Sequence, residues 1–210
     1  MLEFTHEDWS PAEVARMREV YQPLTESVRE LVDAAIRTEA DPETVAAVTS
    51  EIDAAVARLR QRQMPGSFGV RVGADGQGIS WGNAVIGIRN PLAPPVITSR
   101  DGSGAVRAEF ELGAAYEGPP GHVHGGVAAL ILDHLLGEAA SPDQKPRFTG
   151  SITVRYLRAT RLGPLRARAV RTRSEGVKTY CAGHIADEEG ITVEAEGVFI
   201  TPRWLREAGS

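Results

Sequence analysis

The run from Val127 to Leu136, Val-Ala-Ala-Leu-Ile-Leu-Asp-His-Leu-Leu, is apolar on nearly every side of a helix. A helix of that kind belongs in a core, so the rest of the chain has to wrap around it. Asp133 lies inside the run. An ionised carboxylate in apolar surroundings is costly unless something pairs with it. The run opens on His124-Gly125-Gly126, a helix start whose backbone a ligand can approach closely.

The two sides of this segment follow different patterns. Residues 1–64 read as helical. Ser10-Pro11-Ala12-Glu13 combines an N-cap serine, a proline at the first helical position and a capping-box glutamate. Asp41-Pro42-Glu43 repeats that start. Val14, Met17, Tyr21, Leu24, Val28, Leu31 and Ile36 recur at helical spacing, with Pro23 expected to break or kink the helix. Val45, Val48, Ile52, Val56 and Leu59 form a second amphipathic face. Beyond Gln63-Met-Pro-Gly the pattern turns to strands. They are expected in 81–88, 105–112, 148–157, 165–172, 177–186 and 191–200, with Asp187-Glu-Glu-Gly190 as a hairpin turn. Short turns imply antiparallel pairing. One apolar helix against such a sheet is an α+β layer arrangement, the sheet curling around the helix.

Composition narrows the function. The chain has 210 residues, 42% of them hydrophobic, which suffices for one core and an appendage. A net charge of −5 argues against nucleic acid or anionic membrane as a general partner. Cys181 is the single cysteine and reads as a core residue of a chain kept in a reducing compartment. No stretch reaches the ~18–20 apolar residues of a membrane span, and the acidic N-terminus lacks the apolar segment of a signal peptide. A cytoplasmic protein is expected.

The chemistry concentrates at the start of the central helix. Its first N–H groups lack intrahelical partners and carry partial positive charge. Those of Gly125 and Gly126 are suited to hold a carbonyl oxygen that gains negative charge during acyl transfer. Asp133 is seven residues beyond Gly126, on the same side of the helix but roughly 10 Å along its axis. That is too far for both to reach one scissile bond within one chain. Two helices facing each other antiparallel across a dimer axis would bring Asp133 of one to the glycine end of the other. His122 and His124 form a His-x-His pair without an evident third ligand beyond His134 or Asp133, so no metal is expected. Arg155, Arg158, Arg161, Arg166, Arg168, Arg171 and Arg173 are a basic cluster in an acidic chain, either a solvated strand face or a surface for a phosphorylated ligand.

At these residues the chain resembles the hotdog-fold acyl-CoA thioesterases, and is most similar to the PaaI-like branch and its mitochondrial thioesterase-superfamily relatives. The resemblance rests on Tyr116-Glu-Gly-Pro-Pro-Gly-His-Val-His-Gly-Gly126, on Asp133 nine residues after His124, and on Thr149 at the start of Thr-Gly-Ser-Ile-Thr-Val-Arg-Tyr. Glu175-Gly-Val-Lys178 and Ala195-Glu-Gly-Val-Phe-Ile200 also fit, so the likeness covers about residues 80–202. It implies an antiparallel sheet wrapped around one central helix. It also implies a backbone N–H after His124 that holds the oxyanion, a catalytic Asp133, and Thr149 orienting water. Ala159 stands where relatives often have proline, and His122 adds a titratable group.

The expectation is therefore a hotdog domain over 65–204, a helical extension over 1–64 and a tail over 205–210. Hydrolysis of an acyl-CoA is expected at Asp133, Gly125, Gly126, His124 and Thr149. Asp133 would act as general base or nucleophile. Arg155, Arg158, Arg173 and Lys178 are the expected contacts to the CoA phosphates. No cofactor is expected beyond the coenzyme A of the substrate, and the assembly is a homodimer or a dimer of dimers. The alternatives are a hotdog hydratase or dehydratase, using His122 or His124 with Asp133, and a non-catalytic acyl-CoA-binding protein.

Overall fold

The computed structural model describes residues 4–143 and 145–207. They fall into two compact units, one ending at Leu92 and the other beginning at Ala93. The first unit holds strand β1 (Thr5–His6), helices α1 (Pro11–Arg37) and α2 (Pro42–Arg60), and strands β2 (Arg71–Val72) and β3 (Gly78–Ile79). Both helices start as the sequence dictates. Ser10 Oγ accepts from Glu13 N at 3.3 Å while Ser10 N donates to Glu13 Oε2 at 2.8 Å. Asp41 Oδ1 accepts from Thr44 N at 2.9 Å.

Two expectations for this unit change. Pro23 does not break α1, which runs through it from Pro11 to Arg37. The missing N–H costs one bond of the ladder in a 27-residue helix. Trp81 to Ile88 is not a strand but a series of turns. Asn83 Oδ1 accepts from Val85 N at 2.8 Å and Ile86 N at 3.2 Å, and Gly87 N donates to Asn83 O at 3.1 Å. An asparagine side chain here offers the backbone an alternative to a sheet ladder. Trp81 and Val85 are nonetheless buried. The helical pattern stops at Arg60, close to the expected change at 64, but the unit continues through these turns to Leu92.

The second unit contains β4 (Ile97–Arg100), β5 (Val106–Leu112), a short 3-10 turn at Ala114–Tyr116, α3 (Gly125–Ala140), β6 (Phe148–Tyr156), β7 (Gly163–Glu175), β8 (Lys178–Asp187), β9 (Gly190–Ile200) and α4 (Arg203–Glu207). The sheet order is β4-β5-β7-β8-β9-β6, with every neighbour antiparallel. Strand β5 alternates buried and exposed along its whole length, the signature of one covered face. What covers it is α3, which buries Ala128, Ile131, Leu132, Leu135, Leu136, Ala139 and Ala140. The helix sits close on the sheet because glycines lie at the contact. A Cβ on Gly197 would fall 2.6 Å from the Phe199 ring, and one on Gly137 3.3 Å from the same ring.

The sheet does not wrap α3 completely. Gly126 and Leu130 are exposed, and Asp133, His134 and Gly137 are only half-buried. These positions recur every three or four residues and form one stripe. Periodicity shows that a helix needs cover on all sides; it does not show that one chain supplies it all. Beside the stripe, β6 is a sheet edge paired only with β9. Its ends, Phe148 at 43% and Tyr156 at 55% relative exposure, are open.

Candidate active site

The segment Tyr116–His124 is folded back on itself before α3 begins. His124 N donates to Tyr116 O at 2.9 Å, Val123 N to Thr160 O at 2.9 Å and Gly121 N to Glu117 Oε1 at 2.6 Å. A Cβ on Gly118 would lie 2.7 Å from His124 Cα, so the loop closes only with glycine there. These contacts fix His124 as the N-cap of α3. Its Nδ1 accepts from Gly126 N at 3.0 Å, which requires that nitrogen to be unprotonated.

The cap separates the two glycines. The N–H of Gly126 is occupied by His124, whereas that of Gly125, in the first turn, has no partner among the described residues. Gly125 also meets an aromatic ring. Tyr156 Oη donates to Gly125 O at 2.9 Å, and a Cβ on Gly125 would lie 3.2 Å from the ring. Sequence reasoning missed Tyr156. The available signal was a large aromatic at the end of an alternating strand, but its partner is 31 residues away.

Asp133 and Thr149 come together. Thr149 Oγ1 donates to Asp133 Oδ1 at 2.8 Å, joining the third turn of α3, on its exposed stripe, to the start of β6. Neither His122 nor His124 bonds to Asp133. His122 Nδ1 lies 2.8 Å from Pro120 O, and His124 is the cap. His134, next to Asp133, has Nε2 buried without a hydrogen bond, 4.0 Å from Glu138 Oε2. Burial pushes its pKa down, against a weaker upward pull from Glu138 and Asp133. Burial also raises the Cys181 thiol to about 11, which suits a core residue rather than a nucleophile. Among the described residues no group of three or more His, Cys, Asp or Glu could hold a metal.

The four expected phosphate contacts do not form one cluster. Arg158 is committed to the buried carboxylate of Asp187, with Nη1 2.8 Å from Oδ2, Nη2 on Oδ1, and Nη2 3.1 Å from Gly190 O. It is a strut for the β8–β9 turn. Its guanidinium holds the Asp187 carboxyl below the usual carboxylate range. Arg155 is exposed at the Tyr156 end of β6, 3.8 Å from Glu194. Arg173 packs 3.8 Å over the Tyr180 ring and lies 3.6 Å from Glu175. Lys178 pairs in register with Ile200, which pairs with Phe148, so it lies at the Thr149 end of the sheet.

A family profile described as the thioesterase superfamily matches residues 120–194, from the loop before α3 to the middle of β9. The crystal structure of a thioesterase superfamily protein superposes with a TM-score of 0.77 at 34% identity, covering 86% of this chain and 94% of that one. The chain belongs to the thioesterase superfamily. Its second unit has the superfamily's hotdog fold, preceded by the N-terminal helices. Human acyl-coenzyme A thioesterase THEM5 is 30% identical over 94 residues, which are 43% of this chain and 38% of that protein's own length. The superfamily match contains His124, Gly125, Asp133 and Thr149 together with Tyr156. No helix among the described residues is long and apolar enough to cross a membrane.

Proposed function

We propose that this chain hydrolyses acyl-CoA thioesters to the free acid and CoA, in a site shared by two protomers. The observation that carries this reading is the Thr149–Asp133 hydrogen bond on an open helix face that begins at an unpaired Gly125 N–H. The superfamily and the similarity to an acyl-coenzyme A thioesterase support the substrate class.

In this reading Thr149 ties Oδ1 of Asp133 and leaves Oδ2 to act as general base. Water gives its proton to Asp133 and adds to the thioester carbonyl carbon. The oxygen that becomes negative is held by the N–H of Gly125. The tetrahedral intermediate then collapses, the C–S bond breaks, and the departing CoA sulfur takes the proton from Asp133.

Gly125 and Asp133 are separated by roughly 12 Å along α3, so in this reading the two halves come from different chains. The open stripe of α3 and the β6 edge are the surfaces that a two-fold partner would cover. Antiparallel β6 edges would set the Thr149 end of one protomer beside the Tyr156 end of the other. That arrangement also sets Lys178 and Arg173 of one protomer at the same end of the joined sheets as Arg155 of its partner, several strands apart. Arg158 has its structural partner and is not among them.

Turnover of short, long and aromatic acyl-CoAs by the wild-type chain and by Asp133→Asn tests the proposal. Expected is hydrolysis of at least one class and a loss of about 10²–10⁴-fold in the variant, the range of general acid–base catalysis. Equal rates for both proteins would refute the assignment.

A further inference from the structure

Helix α2 is 19 residues long and buries none of them on its own chain. A helix of this length standing free in water is marginal, because helical stability in proteins comes mainly from packing an apolar face. α2 has such a face. It is the face of Val45, Val48, Ile52, Val56 and Leu59, on which Ile52 and Val56 are half-buried, and Ala55 beside Val56 completes a 3-4-3-4 seam with Val45, Val48, Ile52 and Leu59. Val45, Val48 and Leu59 are 45%, 39% and 52% exposed.

Charge names the occupant. Between residues 42 and 57 there is no lysine or arginine, and the acids are Glu43, Glu51 and Asp53. Between 54 and 69 there is no acid, and the bases are Arg58, Arg60 and Arg62. Among the described residues none of Glu43, Glu51, Asp53, Arg58 and Arg60 has an ion-pair partner. Sorting acids to the start and bases to the end of a helix also suits the macrodipole, but the macrodipole gives no reason for an exposed aliphatic seam. A second copy of α2 accounts for both. Run antiparallel, it stacks Val48 on Leu59 and Ile52 on Ala55, layers centred near residue 54. Glu51 and Arg58 flank the seam one heptad apart, and about nearly the same centre each faces the other's counterpart. A parallel pair would set Glu51 and Arg58 beside Val56 and Gln63 and leave these charges without opposite partners.

We propose that α2 is a self-association element: two copies of this chain pair through antiparallel α2 helices about a two-fold axis near residue 54. This contact is separate from the α3 and β6 surfaces of the shared site and does not depend on the thioesterase reading.

The test is cross-linking of the full chain, at low concentration, with a short bifunctional maleimide. Cys181 is buried and its thiol is held in the protonated form, so it leaves the background silent. Ala55→Cys lies on the seam and Ala57→Cys on the opposite side of the helix. Expected is a covalent dimer of Ala55→Cys formed several-fold more readily than that of Ala57→Cys. Adding Glu51→Arg should reduce the yield several-fold, and adding both Glu51→Arg and Arg58→Glu should restore it. Equal cross-linking at positions 55 and 57, indifference to Glu51→Arg, or no recovery in the double reversal would each overturn the proposal.

Discussion

Thr149 Oγ1 lies 2.8 Å from Asp133 Oδ1, and this bond ties the central helix to the exposed edge strand. Thr149→Ser keeps the hydroxyl and Thr149→Val removes it at nearly the same volume. The valine variant should lose about 10- to 100-fold in kcat, equivalent to the ~1.5–3 kcal/mol of a hydrogen bond to a charged group. The serine variant should stay close to wild type. Steady-state kinetics on one acyl-CoA separates them, and equal losses in both would mean that the hydroxyl is not what matters.

His124 acts here through the backbone, as the cap that occupies Gly126 N–H and leaves Gly125 N–H free. Asparagine also caps helices well, whereas alanine does not. His124→Ala should cost about 1 kcal/mol of stability and most of the activity, while His124→Asn should keep much of both. A histidine acting as proton donor or acceptor would give the opposite result, with the asparagine variant as inactive as the alanine one.

Arg158 and Asp187 make a stability prediction. Asp187 is 4% exposed, so removing its partner leaves a carboxylate stranded. Arg158→Ala should destabilise the chain, measured as a lower denaturant midpoint in unfolding. Because Arg158 depresses the Asp187 pKa, the pair's contribution is complete above the unfolded carboxylate value of ~3.9. It is lost as pH falls through the lower folded value. The variant should therefore differ most from wild type above pH ~4 and approach it in acid. A KM change without a stability change would instead make Arg158 a substrate contact.

His134 adds a second pH dependence of the same sign, at higher pH. Burial lowers its folded pKa below the unfolded ~6.5, so between those values the unfolded chain binds more protons. Stability should fall as pH drops below ~6.5, and His134→Gln should flatten that part of the Tm profile. An unchanged slope in the variant would assign the pH dependence elsewhere.

Much of this was legible in the chain because the governing interactions are local or periodic. Ser10 and Asp41 start helices within four residues, and β5 declares its buried face by alternation. Asp133 was marked by its place in an apolar run, and Thr149 only by the resemblance to the thioesterases. Other features depend on approaches through space that no window contains. Tyr156 matters because it stacks against Gly125, and Arg158 because Asp187 is folded against it. The turns around Asn83 defeated an apolar pattern that looked like a strand. Strand β4 is four residues long and largely exposed, so it carries little alternation.

The shared site is tested most directly by mixing two inactive variants. Asp133→Asn lacks the base. Gly125→Pro lacks the N–H at the first helical position, where proline is tolerated, although its ring has to displace Tyr156 slightly. Each alone should be nearly inactive. After unfolding and refolding together, half of the dimers are mixed, and each mixed dimer has one intact site, so about a quarter of wild-type activity should return. No recovery, from a mixture in which mixed dimers are shown to form, would mean that Asp133 and Gly125 serve the same site from one chain or do not act together at all.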